Sequence, residues 1–193
     1  AFGFGDLVEA PPLRAERLFE GEPDEDRRQP IKLEGRDWPL TAIDAAGRVP
    51  LVCAPAGTGL DNPHRHLGDE HRKRSAFGLV QEFLNVSEHA LWGLCSDGLT
   101  LRLVRDNASL TRPAWIEVDL ARIFTEDLYP DFAAAWLIVH RSRFGRLDHA
   151  PEICALEMWR ASAREEGTQA RERLRGGFED ALLVLGQGFL AHP

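Results

Sequence analysis

The sequence predicts an α+β fold: a sheet flanked by helices, followed by a C-terminal helical segment. Strand-like runs are concentrated between residues 31 and 118, and the clearest pair is Leu91-Trp-Gly-Leu-Cys95 and Leu99-Thr-Leu-Arg-Leu-Val104, joined through Ser96-Asp97-Gly98. An Asp-Gly turn between such runs supplies the positive φ that a tight hairpin needs. Phe77, Val80, Phe83 and Leu84 recur at helical spacing behind Ser75, a good N-cap residue, so this helix is expected to pack on the sheet. Beyond residue 150 only helical periodicity remains.

In chain order, residues 1–30 read as a short helix, Leu13–Phe19, and an acidic stretch, Glu20–Asp26, whose like charges favour a solvated loop. Ile31–Leu40 alternates around Gly35 and predicts a hairpin, with Pro39 placing its second strand at an edge. Val49–Cys53 follows a turn at Ala46-Gly47 and predicts a strand. Residues 54–74 have no apolar periodicity, and a loop of that length is usually functional or mobile. Ala114–Val118 predicts a further strand, and Asp119 a cap for a short helix through Phe124. Asp131 is expected to cap a helix from Phe132 to about Arg143 that is apolar nearly all round and hence buried.

Pro151 fits a first helical position, with Ile153, Leu156 and Trp159 as one stripe. After Gly167, the residues Ala170, Leu174, Phe178, Ala181, Leu185 and Phe189 form a second stripe, weakened by roughly 1 kcal/mol per glycine at Gly176-Gly177. That stripe runs nearly to Pro193 without a capping signal, so the helix reads as one cut from a larger protein.

Composition narrows the function classes. With 44% hydrophobic and 28% charged residues the chain is neither disordered nor fibrous. The longest apolar run, Phe132–Val139, falls far short of the roughly 20 residues of a membrane-spanning helix, and no membrane partner is expected. The acidic Asp6 and Glu9 do not fit a signal peptide. Cys53, Cys95 and Cys154 show no C-x-x-C spacing and read as small buried residues of a reducing compartment, which predicts a cytoplasmic protein. A net charge of −8 argues against a domain that wraps nucleic acid on its own, so any DNA contact must be local. The one dense basic cluster is Arg65 with Arg72, Lys73 and Arg74, and these are the candidate contacts to a phosphate backbone.

Other chemistry is weaker. His64, His66, Asp69, Glu70 and His71 carry metal-ligating groups, but their spacing matches no recognised site and the intervening arginines repel a cation; no metal site is expected. Cys53 reads as strand packing and not as a nucleophile. Trp92, Trp115 and Trp136 could stack on bases, yet each lies in an apolar segment and is expected in the core.

The element order resembles that of nucleases holding magnesium with an Asp on one strand and a Glu-x-Lys on the next. In restriction enzymes that fuse nuclease and methylase, the following helix reads like Gln-x-Tyr-Leu-Asn and the next strand pair like Trp-Gly-x-x-Thr-Asn-Gly-x-x-x-Arg-Leu. Here Gln81-Glu-Phe-Leu-Asn85 precedes Trp92-Gly-Leu-Cys-Ser-Asp-Gly98 and Leu101-Arg-Leu103. With Arg105-Asp-Asn-Ala-Ser-Leu-Thr-Arg112 and Leu185-Gly-Gln-Gly-Phe-Leu190, residues 30–193 resemble the N-terminal region of type IIG-like restriction-modification DNA adenine methylases, including those of the DISARM phage-defence class.

The resemblance implies a nuclease-like mixed sheet over 31–125 and a helical connector over 126–193 that leads to a methylase domain. The family's S-adenosylmethionine site and Asn-Pro-Pro-Tyr motif do not occur in these residues, so the cofactor is implied for a parent protein only. Laid on the Glu-x-Lys strand, Val49-Pro-Leu-Val-Cys-Ala-Pro55 puts Cys53 and Pro55 at the Glu and Lys positions, with Asp37 as the candidate Asp. A lone carboxylate neither completes magnesium's oxygen shell nor activates water, so a degenerate PD-(D/E)XK domain with no catalytic residue is expected. Implied partners are DNA through the parent protein, the methylase domain and defence-system subunits. The alternatives are an active magnesium-dependent endonuclease or a standalone DNA-binding module using the 64–74 loop.

Overall fold

The computed structural model describes residues 7–9, 30–33, 35–44, 47–68, 73–106, 112–146 and 149–191. The fold is α+β, and the chain divides into two compact units, Ala1–Cys154 and Ala155–Pro193. No helix among the described residues is long and apolar enough to cross a membrane.

The first unit is built on a six-stranded mixed sheet. Its strands in sequence are β1 (Leu7–Glu9), β4 (Ala42–Asp44), β5 (Pro50–Cys53), β6 (Trp92–Ser96), β7 (Thr100–Arg105) and β8 (Ala114–Asp119), and they lie in that order across the sheet. All neighbours are antiparallel except β5 and β6, which run parallel with Val52 opposite Cys95. A parallel pair needs a crossover, and helix α1 (Ala76–Val86) supplies it. β2 (Ile31–Leu33) and β3 (Arg36–Trp38) form a separate two-stranded hairpin, with Gly35 at φ 74° in its turn.

Local chemistry sets these elements as the sequence predicts. Ser75 caps α1, its Oγ accepting from Gly78 N at 3.0 Å. Gly98, at φ 81°, turns β6 into β7. Asp119 caps α2 (Leu120–Thr125) by accepting from Arg122 N at 2.9 Å.

α1 lies on β5, β6 and β7. Its Leu79, Val80, Phe83 and Leu84 form the core with Leu40, Ile43, Val52, Cys95 and Val104. The small hairpin closes on the same helix, Trp38 meeting Phe83 edge to face with ring centres 5.0 Å apart. Loop residues Leu60 and Leu67 are also buried in this core, so the segment after β5 is anchored at both places.

Several expectations are corrected. Strands β1 and β4 lack an alternating signal, being three residues each, and only the sheet reveals them. The expected helix Leu13–Phe19 and loop Glu20–Asp26 lie outside the described residues. Helix α3 runs Tyr129–Val139; Leu128, not Asp131, occupies its N-cap, without a side-chain bond, and Pro130 and Asp131 sit in its first turn. A separate 3-10 turn, Arg141–Phe144, follows it. α3 is not buried all round: Ala135 and Val139 are, while Leu137 and Tyr129 are exposed. Its uniform apolarity hides which face meets the fold. Trp115 is 50% exposed because β8 is an edge strand, whereas Trp92 is buried. Pro151 opens a 3-10 turn, Pro151–Ile153, and not the long helix.

The second unit is helix α4 (Ala155–Ala191), which passes through Gly167 and Gly176-Gly177 unbroken. From Ala161 to Ala191 every residue is exposed, including Leu174, Phe178, Leu185 and Phe189 of the apolar stripe. Exposed pairs such as Arg175 with Glu179, 2.9 Å apart at i,i+4, support the helix by only about 0.2–0.5 kcal/mol each.

Gly93 on β6 sits where α1 approaches the sheet most closely. A Cβ there would stand 2.6 Å from Val80 Cγ1 and 3.0 Å from Pro50 Cγ. Gly93→Ala is therefore expected to destabilise the fold by about 1–3 kcal/mol, as overpacked cores do. Urea unfolding followed by circular dichroism checks this, and an unchanged midpoint would contradict the close approach.

Candidate functional site

The sequence positions aligned above with the Glu-x-Lys strand fall on β5 and just beyond it, and the end of β5 is held by two amide hydrogen bonds. Cys53 N donates to Thr41 Oγ1 at 2.7 Å, and Ala54 N to Ser96 O at 2.8 Å. On the parallel neighbour β6, the residue in register with Cys53 is Ser96. Cys53 itself is half-buried, and Pro55, next but one, has no charged group. Asp37 lies on β3 in the other sheet, exposed, opposite Lys32.

Asp44 is the carboxylate on the strand paired with β5, and the sequence reading missed it. It is buried at the far end, beside Val49. Its Oδ1 accepts from Arg48 N at 2.6 Å and Val49 N at 2.8 Å, while its Oδ2 faces Arg141 Nη2 at 3.1 Å. This carboxylate shapes the β4–β5 turn and ties it to the Arg141–Phe144 turn. Asp37, Cys53 and Pro55 are not gathered into one cluster, and among the described residues no three His, Cys, Asp or Glu side chains are grouped to hold a metal ion.

The most organised polar cluster surrounds Arg102, on the α1 face of β7 and 7% exposed. Its guanidinium bonds both Asp61 oxygens at 2.9 and 3.1 Å and Glu117 Oε2 through Nε and Nη2 at 3.0 and 2.6 Å. The Phe77 ring centre lies 4.7 Å from its Cζ and that of Trp115 5.4 Å. Burial works against its charge, but the bonds to Asp61 and Glu117 outweigh burial and raise its pKa. An arginine amid Leu101-Arg-Leu103, with Glu117 in Ile116-Glu-Val118 on the neighbouring strand, is the sequence signal of this pair.

Gln81 and Asn85 perform a structural task. Gln81 Nε2 and Asn85 Nδ2, one helical turn apart on α1, both donate to Asp106 Oδ2, at 3.2 and 3.1 Å. They lock the helix to the end of β7. Asp97 fastens the other side: it accepts from Thr100 N at 2.8 Å, Leu99 N at 3.1 Å and Gly59 N at 3.0 Å. Burial pushes its carboxyl up, but these backbone donors pull harder and leave it below the usual range.

Of the candidate basic cluster, Arg65, Lys73 and Arg74 are among the described residues. Arg74 turns to Glu82, with Nε 3.0 Å from Oε2 and Nη2 3.2 Å from Oε1. Arg65 and Lys73 are exposed, and Arg72 lies outside the described residues, as do Asp69, Glu70 and His71. His64 pairs with Arg74 through backbone and stacks on His66 at 5.0 Å; burial, then the His66 charge, lower its pKa.

No protein-family model, curated protein or solved structure matches the chain. The site is therefore read from its own chemistry. Burial pushes the Cys95 thiol up to about 12, against the opposing pull of Arg102, so it stays protonated at neutral pH. The thiolate is the reactive form. Native protein at pH 8 is thus expected to leave Cys95 unmodified by iodoacetamide, with labelling only after denaturation. Peptide mass mapping reads this, and rapid native labelling of Cys95 would contradict its burial.

Proposed function

We propose that this chain is the non-catalytic, nuclease-like N-terminal domain of a site-specific DNA adenine methyltransferase of a restriction-modification or phage-defence system. Its role is structural: docking on the methylase domain, positioning DNA or engaging a partner subunit of the system. One observation carries the reading. A hairpin strand, a helix and a parallel strand follow in the nuclease order as β5, α1 and β6, while the end of β5 carries Cys53 and Pro55. The helix contributes Gln81 and Asn85 to its Asp106 lock, which gives the resembling motif a physical reason to persist without catalysis.

The magnesium-dependent endonuclease reading is less well supported, because Asp37 stands on a different sheet from β5. The 64–74 loop as a sole DNA-binding device loses Arg74 to Glu82. On the favoured reading DNA is met through the parent protein, S-adenosylmethionine is bound elsewhere in that protein, and the compartment is the cytoplasm.

The test is to read the gene beyond the codon for Pro193 and weigh the intact native product. The expected frame continues into a glycine-rich cofactor motif and Asn-Pro-Pro-Tyr, and the product transfers methyl groups to adenine in DNA. A stop codon directly after Pro193 would overturn the proposal.

A further inference from the structure

One edge of the main sheet is formed by β8. β8 pairs with β7 and with no other strand among the described residues. An edge strand offers a row of unpaired backbone N–H and C=O groups, which proteins blunt with charged side chains, lysine above all, with proline or with a bulge; the charges on β8 are the acids Glu117 and Asp119. Here the six residues Ala-Trp-Ile-Glu-Val-Asp contain neither lysine nor proline, and their register with β7 is unbroken from Ala114 to Asp119.

The two faces of this edge differ in chemistry. Trp115, Glu117 and Asp119 alternate onto the face of Arg102, while Ile116 and Val118 take the other. Trp115 is 50% and Ile116 43% exposed, and the Glu117 side chain is 47% exposed although it bonds Arg102. A groove of about 240 Å³ adjoins the second face, with Val118, Ile123, Leu128, Ala135 and Ile138 in its lining.

Charge selects the occupant. Between residues 114 and 131 the sequence sets five acids, Glu117, Asp119, Glu126, Asp127 and Asp131, against one base, Arg122, which is bound to Glu126 at 3.2 Å; Glu117 has a counter-charge in Arg102 of β7 but shares it with Asp61, so the edge stays acidic. A phosphate backbone is repelled by such an edge, and a second copy would set acids against acids. We infer that β8 is a strand-addition site for a partner protein segment in extended conformation, carrying Lys or Arg at alternate positions opposite Glu117 and Asp119 and aliphatic residues between them over Ile116 and Val118. Backbone pairing supplies affinity in this mode and the alternating side chains supply selectivity. The inference rests on the edge and its charge, independently of the methyltransferase reading.

A labelled short peptide of alternating lysine and valine is the probe, with one of alternating glutamate and valine as control. The full chain is expected to bind the first saturably and not the second. Ile116→Lys, at an exposed position, is expected to weaken binding about tenfold by placing like charge on the edge. In the unmodified chain, bound peptide should slow amide hydrogen exchange within residues 114–119. Equal binding of both peptides, an unaffected Ile116→Lys variant that melts like the parent, or slowed exchange only outside β8 would overturn the inference. So would self-association through β8 without peptide binding, which would make a second copy the occupant.

Discussion

The fold depends on how closely α1 can lie on the strands it bridges. β5 and β6 are parallel, so the chain must leave the sheet after Cys53 and return at Trp92 by way of the helix. Gly93 removes the side chain that would hold the helix off, and Val80 occupies that space. Once α1 is seated, Leu79, Phe83 and Leu84 fill the interior and the β2–β3 hairpin gains a surface on which to bury Trp38. The buried polar groups follow from the same seating. Asp106 receives Gln81 and Asn85 from the helix, and Arg102 rests beside Phe77 at the start of it. Among the described residues, the buried Asp97, Arg102 and Asp106 each meet hydrogen-bond partners, as buried charges require.

The same arrangement determines which side chains stand near the end of β5. Thr41, just before β4, accepts from Cys53 N there, and the one carboxylate of β4, Asp44, is engaged at the opposite end by the Arg48 and Val49 amides and by Arg141. The ionisable groups that are well organised, Arg102 with Asp61 and Glu117, satisfy one another. β8 ends the sheet on one side, with no further strand paired to it among the described residues.

Much of the fold was legible in the sequence because its signals are local. Ser75, Asp97-Gly98 and Asp119 each act within four residues of their own position, and all three do in the structure what their chemistry predicts. Non-local consequences were hidden. β1 and β4 are too short to carry a period of two, and they exist as strands because β5 gives them a sheet to join. Trp115 reads as core by composition, but its exposure is decided by the absence of a further strand beyond β8 among the described residues. The candidate site was less legible than the fold. Asp37 stands out in the sequence, while the carboxylates that structure the molecule, Asp44, Asp61, Asp97 and Asp106, acquire their roles from partners up to 97 residues away, as Arg141 is from Asp44.

The proposed role, a nuclease-like frame without catalysis, requires that the end of β5 not support magnesium-dependent cleavage. The most direct test is incubation of the purified chain with supercoiled plasmid in magnesium and in manganese, read on an agarose gel. The account predicts no nicked or linear product above a protein-free control. Metal-dependent nicking that disappears in Asp37→Ala would contradict it.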